Sequence, residues 1–277
     1  MSDAGWTAAS VHAVEALMLE HFRTEPFHNL HLIYGPRLGS TVPGGTCSDK
    51  TLSFVAAGLQ AGFDISLHSG FIGGREIHRL ARVRIRGRQF FADVGNGWPA
   101  LQLYPADREI SFRCFGMGFR TEIAGRRLSV FHEKRGRERL QLEIDVCGRP
   151  ESEIRADIEG RFSSGVVYPF SNSLRFSQVA GSRFLFLRGD RLEIYDDGGL
   201  ECLEGIDDAR VPEVLHDHFG YDVRALLGDE KLGPQAAEPL DGAEKSEEHV
   251  ASADHGSGGD STTTDRSEGG GCRGQFS

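Results

Sequence analysis

Residues 76–94 carry the pattern that most limits how this chain can fold. Ala81, Val83 and Ile85 alternate with arginines, which is the period of a strand with one face on a core. Arg86-Gly87 interrupts the run, and Arg88-Gln89-Phe90-Phe91-Ala92-Asp93-Val94 follows. X-Gly suits a two-residue hairpin turn because Gly accepts positive φ. With Arg86-Gly87 as the loop, Ile85 faces Arg88 and Asp93 falls opposite Leu80. Asp93 is then one diagonal step from His78 on the same face. Such neighbours lie roughly 7–8 Å apart at Cα, close enough for an Asp–His hydrogen bond. A slip of one residue separates them onto opposite faces.

Upstream, Pro43-Gly44-Gly45-Thr46-Cys47 leads into apolar residues at helical spacing: Leu52, Val55, Ala56 and Leu59. Two glycines make a sharp turn and Thr46 is a fair N-cap, so a helix begins at about Cys47. A cysteine there sits at the positive end of the helix dipole, beside unpaired N–H groups. Both favour the thiolate, which is the nucleophilic form. A lone cysteine is more often a packing residue, and with eleven histidines in the chain most must be surface or core residues. Cys47, His78 and Asp93 gain weight together, as nucleophile, base and orienting acid.

Four segments in order, Pro26-Phe27-His28-Asn29-Leu30, Gly44-Gly45-Thr46-Cys47, Ile77-His78 and Asp93-Val94-Gly95-Asn96-Gly97, resemble the arylamine N-acetyltransferase family and its amide-synthase relatives. That family carries P-F-E-N-L, R-G-G-x-C, a His before a strand, and D-V-G-F-G. The resemblance covers roughly residues 7 to 226. It implies an α+β, papain/transglutaminase-like cysteine acyltransferase fold with an N-terminal helical part, an antiparallel β-barrel and a C-terminal α/β lid. It also implies that Cys47, His78 and Asp93 form the catalytic triad. Gly45, Thr46, Gly95, Asn96, Gly97 and Trp98 would then shape the cleft for acyl donor and acceptor. The reaction implied is ping-pong transfer from acetyl-CoA or a similar thioester to a small-molecule amine, with no metal and no permanently bound cofactor. Amide-synthase relatives instead take a polyketide or peptide chain from an acyl carrier protein in secondary metabolism. A hydrolytic or non-catalytic relative is the remaining alternative.

The departures from the family pattern are specific. The family Glu of P-F-E-N-L is His28 here and the Arg before Gly-Gly is Pro43, so a charge pair expected to brace the turn is lost on both sides. Losing both partners leaves no uncompensated charge. Asp49 and Thr51 stand for a family Glu and Asn, and Asn96 stands for the Phe that lines the arylamine pocket. Trp98 is placed to offer a ring instead. Kept triad and changed surroundings point to kept chemistry with a changed acceptor.

The resulting organisation is 1–61 helical with Cys47, 62–148 β-barrel with His78 and Asp93, 149–227 lid, and 228–277 an acidic tail. Helices are expected at 7–24, 150–159 and 211–219. Strands are expected at 62–72, 110–115, 127–131 and 140–146, with a hairpin at 182–195 around Gly189-Asp190. Residues 27–43 read as loop, with a turn at 34–36, and Gly73-Gly74-Arg75-Glu76 reads as a turn. Ser171 to Phe176 loosely resembles a family P-x-S-x-F segment. His28 and His31 are three apart, but surface or packing roles outweigh metal binding. His216 and His218 read as surface residues. Arginines from Arg113 to Arg139 invite contact with CoA phosphates or an acidic carrier, and a solvated strand face is the stronger explanation.

The net charge of −10 is uneven: residues 229–277 hold eleven acidic and four basic groups, leaving −3 for the other 228. A basic nucleic-acid footprint is absent. The tail is too polar to offset the entropy of ordering, so disorder is expected. No apolar run suits a membrane helix or secretory signal. The five cysteines are scattered without a C-x-x-C pair, and Cys272 falls in the tail. A cytoplasmic enzyme without a disulfide framework or zinc site is the expectation.

Overall fold

A computed structural model of the chain describes residues 3–34, 41–161, 170 and 173–224. Helix α1 (Asp3–Thr24) starts four residues before the expected position and stops ahead of Pro26. Its inward stripe of Val14, Met18 and Phe22 is buried. The stretch after it is more ordered than a loop. Strand β1 (Phe27–His28) pairs with β10 (Arg175–Ala180), Phe27 opposite Ser177. The short helix α2 (Leu30–Ile33) follows. A two-residue strand whose partner lies far along the chain has no local signature, which is why it reads as loop. Helix α3 (Cys47–Gln60) begins where expected.

The main layer is an eight-stranded antiparallel sheet in the order β5-β4-β3-β2-β9-β8-β7-β6. Its strands are β2 (Asp64–Ile72), β3 (Arg75–Ile85), β4 (Arg88–Ala92), β5 (Tyr104–Pro105), β6 (Ser111–Cys114), β7 (Met117–Ala124), β8 (Arg127–Lys134) and β9 (Arg137–Asp145). Arg75 and Glu76, expected in a turn, open β3 instead. Ile72 pairs with Arg75, so the turn is Gly73-Gly74 alone, both at positive φ (57° and 74°), as a two-residue hairpin requires. The rings of Tyr104 and Phe112, on the two edge strands, lie 6.4 Å apart. The sheet thus curls until its edges share one core, a half-barrel.

A second sheet runs β1-β10-β11-β12-β13, with β11 (Arg183–Arg188), β12 (Arg191–Asp196) and β13 (Gly199–Leu203). Helix α5 (Val211–Phe219) covers it, packing Val214, Leu215 and Phe219 with Phe176, Leu185 and Leu187. Gly220, in the left-handed region at φ 80°, ends this helix. Helix α4 (Glu151–Glu159) sets Ile154 and Ile158 on Leu67 of β2. The architecture is α+β.

The arginines of the half-barrel meet carboxylates. Arg113 pairs with Glu133, Arg120 with Glu138, Arg126 with Asp145, Arg127 with Glu143 and Arg135 with Glu193, at 2.6–3.3 Å. The exposed pairs contribute little each and form a solvated strand face, whereas the Glu193 carboxylate is buried. Residues 35–36 of the expected turn, Ser171-Asn172 and the 228–277 tail with Cys272 lie outside the described residues. Among the described residues, no helix is long and apolar enough to cross a membrane.

Candidate active site

The hairpin has the register deduced above. Pairs run from Ile85–Arg88 to Ala81–Ala92, and Arg86 and Gly87 both take positive φ (52° and 76°). Continuing the ladder by one residue sets Asp93 opposite Leu80 and diagonal to His78. His78 Nε2 lies 2.6 Å from Asp93 Oδ1, and both residues are buried. The second carboxylate oxygen, Oδ2, accepts a 3.1 Å bond from Asn96 Nδ2. Asn96 Oδ1 in turn accepts the Trp98 N–H at 3.2 Å.

Cys47, half-buried, opens α3, with Sγ 3.9 Å from the Ile77 carbonyl at the head of the hairpin. With Nε2 engaged by Asp93, Nδ1 is the ring nitrogen left for Cys47. Burial pushes the Cys47 thiol up. The hydrogen bond and charge of His78 oppose this, followed by the backbone N–H and charge of Arg79, and the net effect is a lowered pKa. Burial works against a charged His78 too, but the charge and hydrogen bond of Asp93, with those of Cys47, hold the imidazole well above its ordinary value. Both directions favour a thiolate–imidazolium pair.

Three elements are keyed together beneath the sulfur. Thr51 Oγ1, one turn along α3, donates to the Arg79 carbonyl at 2.9 Å. A Cβ on Gly95 would lie 2.3 Å from that same oxygen and 3.0 Å from the Cys47 carbonyl, so only glycine fits between helix and strand. On the other side, the Gly45 N–H donates to the Pro26 carbonyl at 3.1 Å, and the His28 N–H donates to the Gly45 carbonyl at 2.9 Å. Asp49 Oδ2 accepts from the N–H and hydroxyl of Thr46 at 3.0 and 2.9 Å, and its other oxygen pairs with Arg161.

His28 fills the place of the missing charge pair in a neutral way. Burial lowers its pKa to about 4. Its Nε2 lies 3.2 Å from the Pro43 carbonyl and 3.4 Å from that of Val42. Carbonyls only accept, so Nε2 carries the proton and donates. The ring stacks on Phe176 at 5.7 Å. His28 is therefore a packing residue that also braces the turn before Cys47.

Of the residues singled out from sequence, Cys47, His78, Asp93, Gly95 and Asn96 come together, with Gly45 and Thr46 in the turn behind. Gly97 and Trp98 turn towards the second sheet. The Gly97 carbonyl accepts from Ser177 Oγ at 2.8 Å. The half-buried Trp98 ring packs on Phe186 at 4.7 Å and lies under Lys134 Nζ at 3.9 Å. Sequence reasoning missed Arg79. It is buried, its Nη1 donates to the His78 carbonyl at 2.9 Å, and its Nη2 lies 3.5 Å from Asp157. By the strand period it falls on the face of Ala81, Val83 and Ile85, where an arginine breaks the apolar pattern and its partners are not local in sequence. Among the described residues, no cluster of three or more His, Cys, Asp or Glu has the arrangement of a metal site.

The fold so built is that of the arylamine N-acetyltransferases. The Nocardia farcinica enzyme is 23% identical with a TM-score of 0.65, over 79% of this chain and 88% of its own. The Mycobacterium marinum enzyme in complex with CoA is 21% identical with a TM-score of 0.66, over 79% and 89%. The Salmonella typhimurium enzyme is 20% identical with a TM-score of 0.62, over 77% and 85%. No protein-family model matches the sequence, and no curated relative matches it by sequence.

Proposed function

We propose that this protein is a cysteine acyltransferase that carries an acyl group from a thioester to an amine through an acyl-Cys47 intermediate. The observation that supports this most directly is the buried 2.6 Å His78–Asp93 contact behind a half-buried sulfur at a helix start. His78 Nδ1 takes the Cys47 proton, and Asp93 holds the ring and steadies its charge. The thiolate attacks the thioester carbonyl, and the N–H of Cys47 stabilises the oxyanion. The donor C–S bond breaks and its thiol leaves with the proton from His78. An amine then attacks the acyl-cysteine, giving its proton to His78, and the amide departs as Cys47 is freed.

A coenzyme A thioester is the favoured donor, since a neighbour with this fold is described in complex with CoA. The acceptor reading rests on Asn96. Where the resembling family has an aromatic ring, this side chain is tied to Asp93, which favours an amine other than an arylamine. Intact-mass measurement after incubation with acetyl-CoA, and separately with acyl-carrier thioesters, tests the proposal. An acyl adduct that disappears in Cys47→Ala is expected. Adducts from the carrier alone would identify an amide synthase, and hydrolysis without amide formation a hydrolase. No adduct from any donor, with Cys47 alkylated no faster than a free thiol, would sink the proposal in favour of a binding protein.

A further inference from the structure

Lys50 has no part in the chemistry above, yet it is fully buried one turn along α3 from Cys47. Its Nζ donates to the Glu25 carbonyl and lies 5.0 Å from the centre of the Phe22 ring. Among the described residues, no carboxylate pairs with it directly. The Glu25 carboxylate is instead hydrogen-bonded to Ser53 Oγ at 2.7 Å. Burying an amine this way is unfavourable unless the position demands it. What it gains is the carbonyl end of α1, where partial negative charge collects. Glu25 is the residue just past that end, and its own N–H still bonds back to the His21 carbonyl at 2.9 Å.

The Glu25-Pro26 corner is also the seat of the nucleophile's turn. The Gly45 N–H donates to the Pro26 carbonyl at 3.1 Å. Gly44, at φ 89°, approaches so closely that a Cβ there would lie 2.1 Å from the same oxygen. Lys50 therefore ties the helix that begins with Cys47 to the corner against which the preceding turn is hydrogen-bonded. We propose that Lys50 is a positioning residue for Cys47, clamping the Glu25-Pro26 corner so that the Gly44-Gly45 turn delivers the sulfur to His78.

Burial brings the Lys50 pKa down to about 7 against the upward pull of Glu25, and His21 beside it is held down to about 3 by burial and by the Lys50 charge. Ammonium and neutral amine both donate, so the clamp holds on either side of neutrality. This inference rests on Cys47 being the reactive sulfur of the proposed transferase, but alkylation tests it without any acyl donor.

Iodoacetamide labelling of Cys47 in the full chain, followed by intact mass from pH 5 to 9, reads the thiolate directly. Lys50→Met removes the donor. It is expected to slow labelling at pH 7 about tenfold and to move the midpoint up towards that of a free thiol. Lys50→Gln keeps a shorter donor and is expected to fall about threefold, with a smaller rise in midpoint. Exchange of the Gly45 amide is expected to quicken in the same order. If Lys50→Met does not fold, the Gln variant decides by its midpoint and its Gly45 exchange. Profiles that superimpose on the parent protein, or variants that lose thermal stability with an unmoved midpoint, would overturn the clamp. An intact clamp with no acyl adduct from any thioester would instead overturn the transferase reading alone.

Discussion

Cys47 is held from two sides by opposite means. On the hairpin side, His78 and Asp93 form a buried 2.6 Å contact, and the Asp93 carboxylate shifts the imidazole towards its charged form. On the turn side, His28 braces Pro43 and Val42 while neutral, because its partners are carbonyls and its surroundings are apolar. The same residue type, buried to a similar degree, is driven up in pKa in one place and down in the other. Burial alone does not set the state of a histidine; its hydrogen-bond partner decides. The side proposed to do chemistry needs charge within reach. The side that only holds shape is better without it, since an unpaired buried charge is costly.

Removing the charge on the hairpin side has the largest expected effect. Asp93→Asn keeps the shape but no longer favours the charged ring, so acylation of Cys47 should fall about a thousand- to ten-thousand-fold in single-turnover assays. A loss under tenfold would mean that Asp93 only packs.

Placing a charge on the turn side tests the other half. His28→Glu points a carboxylate at two carbonyl oxygens, and at pH 7 it should cost about 3–5 kcal/mol in urea unfolding. That carboxyl has a raised folded pKa, so its penalty should shrink on acidification. Stability unaffected at neutral pH would show that His28 is not the brace.

The third effect is the smallest and concerns acid. Between pH 6.5 and about 4 the unfolded chain protonates His28 while the folded chain does not. Stability therefore falls as pH drops through that window, by about 3 kcal/mol at most from this residue. His68, His132 and His21, also held low by burial, act in the same direction. His28→Gln should flatten the acid limb of an unfolding curve measured from pH 4 to 7 without abolishing it. An unchanged limb would place the sensitivity at the other three.

The hairpin was legible because its information is local. Alternation gave the buried face, Arg86-Gly87 gave the turn, and the two together gave the register that aligns His78 with Asp93. The start of α3 was legible for the same reason. Strand β10 was not, because buried Ser177 and Gln178 break the apolar pattern and their partners lie elsewhere in the chain. Strand β7, with Gly118, Arg120 and Glu122 among its apolar residues, was likewise passed over. His28 was read as a lost charge and as a surface or packing residue, but not as a brace, since a neutral donor to a carbonyl leaves no charge signature in the sequence. Lys50 carries no sequence sign of its burial, since lysines are almost always exposed.

The missing side chain at Gly95 has a wider consequence. Helix and strand touch there through backbone, so the sheet fixes the start of α3 from one side while the Gly44-Gly45 turn fixes it from the other. In the proposed transferase, the walls that would select donor and acceptor are separate from this contact and free to vary. A designer seeking a new acceptor can rebuild the neighbourhood of Trp98 while leaving the reactive atom where it stands.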